Sequence, residues 1–371
     1  MKYTLIAASV AISFFAAPVY AGLYTVTDLG TLGGTTATVT DINNNRQIVG
    51  RAATTSDSAT HAFIWQSGVM HDLGTFGGLS AAYAINSGGS VVGYSTLSSG
   101  SSHSFLYDAT NGLQDLGAFG GDLSQAYGIN DAGQIVGRVF DASGHHPFVY
   151  SAGVTTGVAN PFGGNGTALA INNSGAIVGG FSNSTNTASF NFLNIGGTTF
   201  DLGSFGDPNG NQANAINLSG SVVGQAGGQS AGQFYSHAFL YDGLTKHDLG
   251  TLGGRQSSAN DINNDGVIVG NSNLSGLGGV NHAWIYESGL MADLNALLDP
   301  SGAALVAGTG SYYLSSAVGI NDDGWIVANS SNGRAYLLAP VPEPSTGIFG
   351  AFAIGVAICR RMRTRSNATN A

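Results

Sequence analysis

The stretch that decides the fold runs from Asp72 to Asp108: DLGTFGG at 72–78, AAYAIN at 81–86, SVVGYS at 90–95 and HSFLYD at 103–108. These four elements return along most of the chain. Ile-Asn stands at Ile42-Asn43, Ile85-Asn86, Ile129-Asn130, Ile171-Asn172, Ile216-Asn217, Ile262-Asn263 and Ile320-Asn321, seven copies spaced 43, 44, 42, 45, 46 and 58 residues apart. Asp-Leu begins at Asp28, Asp72, Asp115, Asp201, Asp248 and Asp293, and a further copy has decayed to Asn160-Pro161-Phe162-Gly163-Gly164. A His-x-aromatic element stands at His61, His103, His146, His237 and His282; Ser189-Phe190 and Arg334-Ala335-Tyr336 replace it in the fourth and seventh copies.

Within the unit, residues 83–85, 91–93, 105–107 and 113–116 are β-branched, aromatic or alternating, and short enough to be strands. Turns separate them. Asn130-Asp131-Ala132-Gly133, Asn172-Asn173-Ser174-Gly175 and Asn263-Asn264-Asp265-Gly266 place Asn first and Gly last, as a tight hairpin with a left-handed final residue demands. Gly-Gly doublets at 77–78, 120–121 and 253–254 mark the crossing to the next unit, where backbones come close. Four strands per ~44 residues, repeated seven times, predict an all-β, seven-bladed β-propeller of four-stranded blades. The ends of the repeat predict closure. Residues 23–30 form a fourth strand with nothing before it, and residues 334–340 a third strand with nothing after it. Together they complete the last blade and close the ring through the N-terminal strand, removing its free edge.

Composition agrees. Glycine supplies 58 of 371 residues, charged residues only 9%, and Lys and Glu occur twice each, so long solvated helices are excluded. Residues 22–340 carry six basic against 20 acidic side chains, a net of −14, which argues against a nucleic-acid partner. Cys359 is the only cysteine, so no intramolecular disulfide can form.

The two ends read as addresses. Residues 1–21 have the form of a signal peptide, with Lys2, an apolar run over 5–17 and small side chains at Val19 and Ala21, which predicts cleavage by signal peptidase between Ala21 and Gly22. Residues 22–340 are the propeller. In 341–371, Val341-Pro342-Glu343-Pro344 forms a rigid break, residues 345–359 an uncharged segment read as one short transmembrane helix, and Arg360, Arg361, Arg363 and Arg365 a positive-inside stop. This order resembles PEP-CTERM sorting signals. The resemblance implies a Gram-negative host that makes exopolysaccharide, and an exosortase that removes the tail near Pro-Glu-Pro. It also implies an inner-membrane-anchored intermediate, held only by that helix, and a final location at the cell surface or in the extracellular matrix. The repeat itself resembles the bacterial extracellular HAF repeat over roughly residues 28–339, on the DLGTLGG, IN-x-x-G-x-IVG and HAF patterns. That resemblance implies a secreted repeat protein and supplies no established catalytic residues.

Candidate chemistry is sparse. The five repeated histidines suit a blade-stabilising hydrogen bond to the Asp of an Asp-Leu-Gly corner better than a metal site, since no second ligand accompanies them. Asn263-Asn264-Asp265-Gly266 and Asn321-Asp322-Asp323-Gly324 offer hard oxygens, so Asp265, Asp322 and Asp323 are weak Ca²⁺ candidates; otherwise no cofactor or metal is expected. The body has no Cys and one Glu, Glu287, so a glycosidase pair needs two aspartates such as Asp122 and Asp141. Symmetry breaks at residues 140–147, 225–236 and 295–316, where Phe234, Tyr235, Tyr312 and Tyr313 are candidate platforms for sugar rings. The expectation is a non-catalytic envelope or matrix protein that binds exopolysaccharide or another surface component through its loops. The alternatives are a polysaccharide lyase or hydrolase, in which His145 or Asp141 would be essential, and a purely structural surface protein.

Overall fold

A computed structural model describes residues 23–230, 232–276 and 279–341. The cleavage pair Ala21/Gly22, the segment 345–359 and the sorting residues Pro342, Glu343, Pro344, Arg360, Arg361, Arg363 and Arg365 lie outside the described residues; Val341 is described and exposed.

Strands β2 (Gly33–Ile42), β3 (Ile48–Thr54), β4 (Thr60–Gln66) and β5 (Val69–Gly74) form one antiparallel meander in sequence order. The same order recurs over residues 77–117, 123–157 and 163–201. Residues 212–293 hold two more such units, joined at a single parallel pair, Ser236 with Gln256. The remaining sheet contains Leu314–Ile320, Ile326–Ser330 and Ala335–Pro340, and its outer strand is β1 (Tyr24–Asp28), paired from Tyr24 opposite Pro340 to Asp28 opposite Tyr336. The closure expected from the two ends of the repeat is therefore present as a strand pairing between them.

Local chemistry explains the repetition. In each turn between first and second strands the Asn carboxamide replaces missing backbone partners: Asn130 Oδ1 accepts from Gln134 N at 2.9 Å, and Gly133 N donates to the Asn130 carbonyl at 3.0 Å. Gly133 sits at φ 75°, where a side chain would strain the backbone. The strand that follows, Ile135-Val136, is fully buried because sheets cover both its faces. The core is accordingly divided among sheet-to-sheet interfaces. Phe105 and Ile85 pack with Val49 and Ile64 of the preceding sheet, and Phe63, Ile48 and Trp65 pack with Val327 and Leu337 of the last one.

The longest insertion, 295–316, contains α1 (Pro300–Ala307), capped where Asp299 Oδ1 accepts from Gly302 N at 2.9 Å. It packs Leu298 and Val306 against Tyr24, and Asp299 N donates to the Tyr24 carbonyl at 2.9 Å. This loop covers the closing strand. Among the described residues no helix is long and apolar enough to cross a membrane.

Candidate functional site

The repeated histidines are structural. Nδ1 of His61, His103, His237 and His282 lies 2.6–2.9 Å from the carboxylates of Asp72, Asp115, Asp248 and Asp293, the corner partners that the sequence pattern predicts. His146 belongs to the unit whose corner has decayed to Asn160, and it turns instead to Ser143 Oγ at 2.8 Å. In the last sheet Arg334 replaces the histidine and reaches both oxygens of Asp28 on β1 at 2.9 Å, an ion pair between the two ends of the repeat.

The asparagines of Ile-Asn form a second, continuous structure. Nδ2 of Asn43 donates to the Asn86 carbonyl at 3.0 Å, Asn86 to Asn130 at 3.2 Å, Asn130 to Asn172 at 3.1 Å and Asn172 to Asn217 at 3.0 Å. Asn217 continues to Asn263 at 3.1 Å, Asn263 to Asn321 at 3.2 Å, and Asn321 returns to Asn43 at 3.3 Å. All seven side chains are buried, and the chain of bonds is closed. It lines one cavity of about 240 Å³ bounded by the inner strands of every unit.

Below this ring the inner strands carry a β-bulge at the same place in each unit, shown by register shifts around Thr40, Tyr83, Tyr127, Leu169, Asn214, Asn260 and Val318. A bulge re-aims one side chain, and all seven residues line a second cavity of about 180 Å³. The two cavities share Asp41, Ile129, Ile171 and Asp261 in their walls, and we term the space on either side of these residues the axial channel. Asp41 accepts from Ile42 N and from Ile85 N of the next unit at 2.7 and 2.9 Å; Asp261 accepts from Ile262 N and Ile320 N, both at 2.8 Å. Both carboxyls line the two cavities. Burial pushes Asp41 up to about 8, with the neighbouring Asp261 charge adding to it, and burial pushes Asp261 up to about 6.

At this end the units stop being alike. Tyr83 stacks with Tyr94 at 5.7 Å and tilts against Tyr127 at 4.8 Å. Arg138 lies over Tyr127 at 5.3 Å and over Phe140 at 4.7 Å. Gln125 Oε1 fixes this group, accepting from Tyr127 Oη at 2.6 Å and from Arg138 Nη2 and Nε at 2.8 and 3.2 Å. Asn214 and Asn260 stand elsewhere around the channel, each donating to a main-chain carbonyl of the next unit, Ala259 and Ala317, at 2.8 Å.

The residues singled out in the loops lie elsewhere. Phe234 is 65% exposed and lines a cavity of about 460 Å³ with Arg255 and Asn273. Tyr235 tilts over His237 at 4.3 Å and Tyr313 over His282 at 4.7 Å, so both cover His–Asp pairs, while Tyr312 is 43% exposed. Asp322 accepts from Asn264 and Asn44, Asp323 pairs with Arg46 at 3.4 Å, and Asp265 stands in the same turn as Asn263. Among the described residues no three His, Cys, Asp or Glu side chains come together as a metal set. Ser143, His146 and Asp141 do meet, but Ser143 Oγ is 2.5 Å from Asp141 Oδ1 while the same His146 nitrogen faces both. A hydroxyl whose proton goes to the carboxylate is not activated by the imidazole. His145 is a separate group, its ring 5.4 Å from Phe140.

The channel residues escaped the sequence patterns although a signal was there. In Ala-x-(Ala/Gly/Asp)-Ile-Asn the flanking positions recur while x varies through Tyr83, Tyr127, Leu169, Asn214, Asn260 and Val318. A variable residue inside a constant frame marks a side chain released from packing.

No family model and no curated protein matches the sequence. Solved structures match at the level of fold. Virginiamycin B lyase from Staphylococcus aureus, a catalytically inactive variant with quinupristin, is 10% identical with a TM-score of 0.50, over 86% of this chain and all of that one. The acylaminoacyl peptidase of Pyrococcus horikoshii is 10% identical with a TM-score of 0.50, over 85% of this chain and 54% of that one. The β-propeller domain of the Trilobed protease from Pyrococcus furiosus is 9% identical with a TM-score of 0.48, over 80% and 91%. The four-stranded antiparallel sheets are those of a β-propeller scaffold.

Proposed function

We propose that this chain is an exported, exosortase-sorted, seven-bladed propeller of the cell envelope or extracellular matrix that binds exopolysaccharide without cleaving it. One observation carries the binding role. The His, Asp and Asn side chains that recur are engaged in bonds within and between sheets, whereas the bulge residues that line the channel differ from unit to unit, from Tyr83 and Tyr127 to Asn214 and Asn260. Seven linked asparagines support the blade count. Export and sorting rest on the signal-peptide form of residues 1–21 and the PEP-CTERM form of 341–371. On this basis signal peptidase and exosortase act on the chain in turn, and Asp265, Asp322 and Asp323 provide at most a weak Ca²⁺ site.

The test is light-scattering chromatography of the purified protein with its host's exopolysaccharide, with and without calcium. Protein co-eluting with polymer of unchanged mass is the expected result. A fall in polymer mass, lost on replacing Asp141 or His145, would make the protein an enzyme, and separate elution would remove the polysaccharide from the function.

A further inference from the structure

Six basic residues lie between positions 22 and 340, against 20 acidic ones. Arg46 and Arg334 reach the carboxylates of Asp323 and Asp28. Arg255 donates to Gln233, and Lys246 to the Gly203 carbonyl. Arg51 and Arg138 have no carboxylate partner among the described residues, although acids outnumber bases more than threefold. Both follow the buried glycine of the second strand, in IVGR at 48–51 and at 135–138, and Tyr94 holds the equivalent position between them. Arg51 and Arg138 hold the same place in register, opposite Thr38 and Gln125 of their first strands, and Arg138 lies over Tyr127 at 5.3 Å. The corresponding residues of the fifth and sixth units are Gln225 and Asn271. The mouth thus has a cationic aromatic arc on the first three units and an amide arc on the fifth and sixth, separated by Leu169 and Gly180 on the fourth and by Val318 and Asn329 on the seventh.

We infer that this mouth binds an acidic saccharide, with one uronic acid ring packed against Tyr83 and Tyr127, its carboxylate held by Arg138 and Arg51, and its hydroxyls met by Asn214 and Asn260. Each part has a chemical reason. A guanidinium fork matches a carboxylate with two parallel hydrogen bonds, and Gln125 takes Nε and one hydrogen of Nη2, which leaves the Nη1 side of the fork free. Aromatic rings pack against the C–H surface of a pyranose ring, and the side-chain oxygens of Asn214 and Asn260, whose nitrogens donate to the main chain, accept from hydroxyls. A cavity of about 180 Å³ lies below the ~300–1,000 Å³ of sites that enclose drug-sized ligands, so it takes one ring while the rest of the chain lies over the rim. Asp41 and Asp261 face the same cavity, and burial raises them to about 8 and about 6. At neutral pH Asp41 is mostly uncharged while Asp261 keeps its charge, so the acidic ring should bind more tightly as pH falls toward 6. The inference rests on the saccharide-binding function proposed above and narrows it to one site and one class of sugar.

The test titrates the purified full-length protein with oligogalacturonate, with the same oligosaccharide after carboxyl reduction, and with a single-stranded oligonucleotide as a second polyanion. Tyrosine fluorescence and calorimetry report binding. Expected is at least tenfold tighter binding of the acidic sugar than of its reduced form, weakening with salt. Arg138→Gln and the exposed Arg51→Gln each remove that preference while the circular dichroism spectrum stays that of the wild type, whereas Arg255→Gln leaves it intact. Equal affinity for both sugars, no saturable binding of either, or a preference that survives both substitutions overturns the inference. Equal binding of the oligonucleotide reduces the mouth to a general anion patch and also overturns it. Co-elution with host polymer that is unaffected by Arg138→Gln would sink this site while leaving the matrix function standing. Binding of oligogalacturonate without co-elution would do the reverse.

Discussion

Asn130 does two things with one carboxamide. Its oxygen closes its own turn through Gln134 N, and its nitrogen crosses to the Asn172 carbonyl of the next unit. Neither atom has access to water, since the residue is 3% exposed, so losing both bonds strands buried polar groups. Asn130→Ala should cost about 1–3 kcal/mol; a chemical denaturation midpoint equal to wild type would refute the role assigned to the ring. Asp41 and Asp261 are different in kind, because Ala84, Ala170 and Ala215 stand at the same position elsewhere. A carboxyl raised in the folded state binds its proton more tightly there than in the unfolded chain. Its contribution is therefore fully present below the ordinary carboxylate range and is lost as pH rises through about 6 for Asp261 and about 8 for Asp41. Wild-type stability should fall between pH 4 and 8 more steeply than that of Asp41→Ala. Parallel slopes in thermal melts across that window would count against a buried, proton-holding Asp41.

At the scale of elements, β1 carries the most consequence for its length. Five residues supply the outer strand of the last sheet, the aspartate that pairs with Arg334, and the tyrosine that α1 and its loop cover. Deleting residues 24–28 should cost several kcal/mol, since an ordered strand and its packing go together. A truncated protein with an unchanged melting temperature would show that the last sheet does not depend on the chain's beginning. Arg334→Ala tests the link more gently. The pair is only partly buried, so a loss of about 1 kcal/mol or less is expected, read as a small drop in midpoint that 1 M salt should erase.

For the whole molecule the controlling quantities are closure and charge. Among the described residues hydrophobic clusters join neighbouring sheets, as where Phe192 and Ile177 meet Val136, so a unit shares its core with its neighbours. Closing the series lets units that are individually unstable hold one another without a disulfide. A net charge of −14 on residues 22–340 opposes that compactness by self-repulsion. Raising ionic strength from about 10 to 150 mM, which shortens the Debye length from roughly 30 to 8 Å, should raise the melting temperature. A flat or falling response would mean that local pairs such as Asp322 with Asn44 and Asn264 already absorb the charge.

The four-stranded antiparallel sheets, the Asn-x-x-Gly turns, the His–Asp corner pairs and the pairing of residues 24–28 with 335–340 were all legible in the sequence. Each depends on contacts within one unit or on a period that the chain prints seven times, and local hydrogen-bond geometry leaves few other solutions. The closed circle of asparagines was not legible, because Nδ2 of Asn321 and the carbonyl of Asn43 are 278 residues apart and meet only when the last unit returns to the first. The channel mouth was hidden for the same reason. Tyr83, Tyr127, Arg138, Asn214 and Asn260 are dispersed over nearly 180 positions, and sequence alone directs attention to long loops such as 225–236. Closure of the sheets around one axis brings these side chains together, and the bulge beside each Ile-Asn turns them inward.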